Sequence, residues 1–164
     1  MKLEQKYQAL IEEAQRRNLP DVDGIQLCFQ VLSMAASIDS DCAALLAPHG
    51  LSEGRFVLLF LLDVAPDGLA PNALAEQAGV TRATVTGLLD GLEREGLIER
   101  HANVEDRRAL CIRLTSKGKQ LAGTVIDQHG RWIAGLFANL SAHERKQLAA
   151  LLEKVRGSNT DAES

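Results

Sequence analysis

Residues 70–115 constrain the fold more than any other part of the chain. There a helix, a glycine turn, a second helix, a strand, a charged loop and a second strand follow one another almost without spacer. Pro71 suits the first turn of a helix, where its missing N–H would have had no partner. Leu74, Ala75 and Ala78 recur at helical spacing, and Gly79 stands where a helix ends most easily in a left-handed residue. Thr81 is a suitable N-cap for the second helix, along which Val85, Leu88, Leu89 and Leu92 form one apolar stripe. Gly96 closes it. Residues 97–101 predict a strand, and Leu110, Ile112 and Leu114, alternating with Cys111 and Arg113, predict its half-buried partner. The loop between them is polar and carries the adjacent pair Arg107 and Arg108. This order is that of a winged helix-turn-helix, which lays one helix in the major groove of DNA and a basic loop beside it. Thr81, Arg82, Thr84 and Thr86 lie near the N-terminal end of the second helix, off its apolar stripe, and are the candidate DNA-contacting residues.

The remainder reads as helix. Leu3, Tyr7, Leu10, Ile11 and Ala14 share one side of a helix over residues 3–17, which Pro20 breaks. A second helix spans 22–47. Ser52 caps a third, with Leu51 and Phe56 at the spacing of a hydrophobic staple. A long helix is expected from 116 to about 139, and Ser141 with Glu144 makes a capping box for a last helix of about 15 residues. One winged domain needs far fewer helices than these, and their apolar stripes require a partner. A homodimer is the economical solution, since its two-fold axis matches that of a pseudo-palindromic operator. The expected fold class is therefore mainly α with a small β-wing. Residues 51–115 form the winged helix-turn-helix domain, 1–50 and 116–156 a helical dimerisation region, and 157–164 a disordered polar tail.

The formal net charge of −4 argues at first against nucleic acid, but phosphate contacts depend on where cations sit rather than on their total. Residues 98–115 hold four arginines (100, 107, 108, 113) against three acids (Glu99, Glu105, Asp106). Such a mildly basic wing predicts modest, salt-sensitive affinity from a single copy. No stretch reads as a 20-residue apolar span, and the charged N-terminus does not read as a secretory signal, so no membrane association and a cytoplasmic location are expected. Cys28, Cys42 and Cys111 form neither a disulfide framework nor a zinc pair. The four histidines show no metal-ligand spacing. No nucleophile, base and orienting group are evident, so no catalytic residue, metal or cofactor is expected. An apolar wall of Phe29, Phe56, Leu59 and Phe60 is the candidate effector pocket.

The segments TRATVTGLLDGLEREGLIER and NVEDRRALCIRLTSKGK are similar to the recognition helix and wing of the multiple-antibiotic-resistance regulator (MarR) family of bacterial transcription factors. Asp106, Arg108, Leu114, Thr115 and Gly118 match its wing signature. The resemblance covers about residues 25–155. It implies a helical homodimer that represses promoters at pseudo-palindromic sites on double-stranded DNA and is released by a small, lipophilic or aromatic effector. It implies Thr81, Arg82, Thr84 and Thr86 as DNA contacts, Arg107 and Arg108 in the wing, and Asp106 as the residue that orients a wing arginine. Gly87 and Gly91 depart from the family, many of whose members place arginine there. The run Gln26-Leu27-Cys28-Phe29 also resembles the reactive-cysteine region of the family's organic-peroxide sensors, which makes Cys28 a candidate redox residue and thiol sensing an alternative. An adaptor that keeps the winged fold but binds protein instead of DNA is the alternative of another class.

Overall fold

The computed structural model describes residues 4–102 and 110–160; the wing tip, with Asp106, Arg107 and Arg108, lies outside them. Among the described residues, helices and strands follow in the order α1 (Gln5–Arg16), α2 (Val22–Leu46), a 3-10 turn (Ala47–His49), α3 (Glu53–Asp63), α4 (Pro71–Ala78), α5 (Arg82–Arg94), β1 (Ile98–Ala102), β2 (Leu110–Leu114), α6 (Ser116–Leu136) and α7 (Ala142–Thr160). The chain divides into two compact units, residues 1–122 and 123–164.

In the first unit α1 packs on α2, with the rings of Tyr7 and Phe29 stacked 4.8 Å apart and Ile11 and Ala14 buried. The core is built from α3, α4 and α5. Leu58, Leu59, Leu74, Val85 and Leu92 are excluded from solvent, as is Ile112 of β2. The Ser52 hydroxyl accepts from the Arg55 N–H at the start of α3, and the staple residues Leu51 and Phe56 are both buried. α4 ends at Gly79 with φ +65° and α5 leads to Gly96 with φ +69°, so both glycines hold the left-handed conformation that ends a helix cleanly. β1 and β2 pair antiparallel, Ile98 opposite Leu114 and Ala102 opposite Leu110. Leu69 adds an isolated antiparallel bridge to Ile112, which period-2 alternation could not reveal because the residue stands alone between a turn and a helix. Gly68 makes that approach possible: at φ +85° it lies against the Ile112 carbonyl and the Cys111 thiol, leaving no room for a side chain.

Two helix ends differ from the sequence-based expectation. α6 stops at Leu136 rather than near 139, and Ala138 and Leu140 instead donate turn hydrogen bonds to Gly135 and Phe137. α7 runs on to Thr160, into the stretch expected to be a disordered tail; Gly157 lowers helix propensity without terminating a helix. The capping box at its start is formed, with the Glu144 carboxylate accepting from the Ser141 N–H at 2.7 Å and the Ser141 hydroxyl from the Glu144 N–H at 3.3 Å. The bonds from Ser141, side chain first and backbone second, hold the Glu144 carboxyl below the usual range. Ser141→Ala should therefore raise the Glu144 pKa in a carbon-detected NMR titration; an unmoved value would mean that the box is not closed in solution.

The expectation that no stretch is long and apolar enough to cross a membrane needs correction. Residues 22–49 reach that threshold by length and composition. Leu27, Val31, Leu32 and Met34 of α2 are exposed in the single chain. Its last turns carry Asp39 and Asp41 and bury Cys42 and Leu46.

Candidate nucleic-acid interface

α5 is the helix the sequence assigns to DNA, and its local chemistry decides what it can offer. Val85, Leu89 and Leu92 bury one side, leaving Thr81, Arg82, Thr84 and Thr86 exposed at the N-terminal end. Thr81 caps the helix, its hydroxyl accepting from the Thr84 N–H at 3.2 Å. The Thr81 and Thr84 hydroxyls lie 2.8 Å apart. One of them donates to the other, so whichever way that bond runs, one hydroxyl hydrogen of the pair remains free for an outside acceptor. Thr86 donates to the Arg82 carbonyl at 2.9 Å, which leaves its hydroxyl oxygen free to accept. The Arg82 guanidinium has no partner among the described residues. Gly87, also exposed, has nothing within 4 Å of where a Cβ would stand, so this part of the face is bare backbone.

The acids of this helix are largely compensated from neighbouring elements. Arg100 of β1, partly buried, pairs with Asp90 and reaches Glu93 at 3.3 Å. Arg55 of α3 pairs with Glu95 at 2.7 Å. Neither arginine was identifiable from local sequence, since each acts across the fold. Arg100, counted from sequence among the wing cations, is thus occupied within the protein, and Arg113 donates to the Asp67 carbonyl at 2.9 Å. Gly91, a departure from the family pattern, has a reason here. It is buried beneath the Arg55 side chain, whose guanidinium carbon lies 3.1 Å from where its Cβ would stand.

The residues expected to line an effector pocket fall in different surroundings. Phe56 and Leu59 are core residues, Phe60 is exposed, and Phe29 is stacked on Tyr7. A groove of about 300 Å³ beside the recognition helix is lined by Glu53, Gly54, Val57, Ala78, Val80 and Leu88, and by none of these four. Cys28 is exposed. Burial, and then the carboxylates of Glu53 and Asp39, push the Cys42 thiol up, which disfavours the reactive thiolate there. Cys111 donates its thiol hydrogen to the Asp67 carbonyl. Among the described residues no three His, Cys, Asp or Glu side chains are grouped so as to hold a metal ion.

Comparison with known proteins gives this surface its context. The MarR family model matches residues 51–110. The HTH-type transcriptional repressor YetL of Bacillus subtilis is 33% identical over 155 residues, covering 92% of this chain and 93% of its own. The MepR–DNA complex from S. aureus superposes with a TM-score of 0.67 at 27% identity, over 79% of this chain and 95% of that one. The Mycobacterium tuberculosis MarR family protein Rv2887, in complex with salicylic acid, gives a TM-score of 0.57 at 31% identity, over 79% and 95%.

Proposed function

The chain belongs to the MarR family of DNA-binding transcriptional regulators, and we propose that it works as a homodimeric repressor that covers pseudo-palindromic operators and is released by a small effector. It is a regulator and not an enzyme. The observation that carries the reading is the N-terminal face of α5, where an unpaired guanidinium, one unspent hydroxyl hydrogen and a free hydroxyl acceptor sit together. The asymmetry of base edges in the major groove requires such a mixture of donors and acceptors. Arg82 and the Thr81–Thr84 pair contact phosphate or base, Thr86 accepts from an exocyclic amine, and Arg107 and Arg108 flank the duplex from the wing with Asp106 orienting one of them. The place of action is the cytoplasm, with the DNA.

Dimerisation is supported by apolar surface that one copy leaves uncovered. Leu27, Val31, Leu32 and Met34 of α2 are exposed. On α7, Leu151 and Val155 are 60% and 61% exposed, beside an apolar groove of about 190 Å³ lined by Phe137, Arg145, Leu148, Ala149 and Leu152. A second copy is the occupant that also serves a two-fold operator. A small aromatic effector is supported by the salicylic acid complex of Rv2887. Such a ligand acts only through its different affinity for the DNA-binding and released spacings of the two winged domains.

The test is an operator selected by the protein from a random duplex library. Arg82→Ala should weaken binding about tenfold and lower the salt slope by about one, as loss of a phosphate-contacting cation does. Thr84→Ala should weaken it a few-fold, the worth of one ordinary hydrogen bond. Both variants should remain dimeric by light scattering. Unchanged affinity in Arg82→Ala, or dissociation of the dimer in either variant, would remove these residues from the DNA face.

A further inference from the structure

We propose that Arg55 is a positioning residue for operator binding: crossing the side of α5 left bare by Gly91, it fixes the recognition helix against the end of α2. The proposal rests on the DNA-binding reading of α5 given above. Arg55 stands on α3, and its side chain is only 23% exposed. One guanidinium nitrogen, Nη1, donates to the Gly50 carbonyl at 3.2 Å, just beyond the turn that ends α2, and to Glu95 Oε1 at 2.7 Å, at the C-cap of α5. To span these two points the guanidinium passes directly over Gly91. Its Nη2 lies well inside contact distance of where a Cβ would stand, with Cζ at 3.1 Å and Nε at 3.3 Å.

The two glycines of α5 therefore differ in kind. Gly87 faces open space, whereas Gly91 is the channel through which a cation from another helix reaches the far end of the DNA-reading helix. The same end is held from its other side. Lys117, in the first turn of α6, donates to the Glu95 carbonyl at 2.7 Å. The C-terminal end of α5 is thus pinned both to the end of α2 and to the start of α6. The pins thus set the bearing of the recognition helix relative to the end of α2 and the first turn of α6. A planar, permanently charged guanidinium with several donors suits a strut joining a carbonyl to a carboxylate, and a lysine cannot reproduce that geometry.

The test is a double-mutant cycle on the full-length protein with Gly91→Ala and Arg55→Ala, read by affinity for the library-selected duplex and by thermal unfolding at fixed protein concentration. With Arg55 present, Gly91→Ala should weaken binding about tenfold, because the methyl group displaces the strut. In the Arg55→Ala background the same substitution should leave affinity unchanged within twofold and raise the melting temperature, since only its helix propensity then acts. The salt slope should stay unaltered in both glycine variants, as neither gains nor loses a phosphate contact. Glu95→Gln, which removes the ion pair at an exposed position, should weaken binding in the same direction and serves if Arg55→Ala proves unfolded by circular dichroism. Equal penalties for Gly91→Ala in both backgrounds, or no penalty in either, would overturn the proposal while leaving the DNA-binding reading intact. If the wild-type protein selects no duplex at all, both fall together.

Discussion

Gly118→Ala is expected to destabilise the protein by about 2–3 kcal/mol, toward the upper end of what overpacking a closed site costs, although alanine is the better helix former by roughly 0.5–1 kcal/mol. The reason lies in how α6 leaves the wing. Thr115 N donates to the Leu97 carbonyl at 3.1 Å, and the Thr115 hydroxyl donates to the Gly96 carbonyl at 2.7 Å while accepting from the Gly118 N–H at 3.0 Å. This knot draws the first turn of α6 onto the backbone at the end of the recognition helix. A Cβ at 118 would overlap the Leu97 carbonyl oxygen and sit 2.9 Å from its carbon and 3.4 Å from Leu114 Cδ2. The obstacle is backbone, held by its own hydrogen bonds, and it cannot rotate aside as a side chain would. For a chain of this size the loss corresponds to a melting temperature lowered by about 4–12 °C. Gly123→Ala, in the same helix with nothing within 4 Å, is the matched control and should be neutral or stabilising. If Gly118→Ala melts at or above the wild-type temperature, the close approach of α6 to Leu97 is wrong.

Gly118 also marks the boundary of what could be read before the structure. Its place in the wing signature was visible from sequence, but its reason was not, because the atom it must accommodate belongs to a residue 21 positions earlier. Features set by neighbours in sequence were legible: Pro71 at the start of α4, Gly79 and Gly96 in left-handed caps, Thr81 at the head of α5, and Ser141 with Glu144 at the head of α7. Each depends on hydrogen bonds within one turn. Features set across the fold were not. The Leu69–Ile112 bridge, the Arg100 pairs with Asp90 and Glu93, and the Arg55 strut join elements that no spacing rule connects. The effector wall shows the same limit. Apolarity marked Phe56, Leu59 and Phe60 alike, yet the first two face the core and the third faces out, because α3 is apolar on nearly every side and composition alone cannot orient it. The apolar surface of α2, assigned from sequence to the dimerisation region, is exposed in the single chain at Leu27, Val31, Leu32 and Met34.

That exposed surface carries the largest expected effect on DNA binding. The double variant Leu151→Glu, Val155→Glu should be monomeric and should bind the selected operator about 10²–10⁴-fold more weakly, the range by which two linked sites exceed one. Both side chains lie mostly in solvent in the single chain, so the substitutions remove no intrachain core contact, and the monomer should keep its helical circular dichroism. They sit one helical turn apart with Glu153 between them in sequence. Burying that face against a second copy would then require desolvating two new carboxylates one turn apart, a cost that the apolar area could not offset. The recognition helix is untouched, and each half-site contact remains available. What disappears is the second contact set, held about one duplex turn, roughly 34 Å, from the first. Sedimentation velocity across the concentration range of the binding titration measures both sides of the claim. A variant that stays dimeric would show that α7 is not in the interface. A monomeric variant that binds with wild-type affinity would show that one winged domain suffices and that two-fold symmetry contributes nothing to operator recognition.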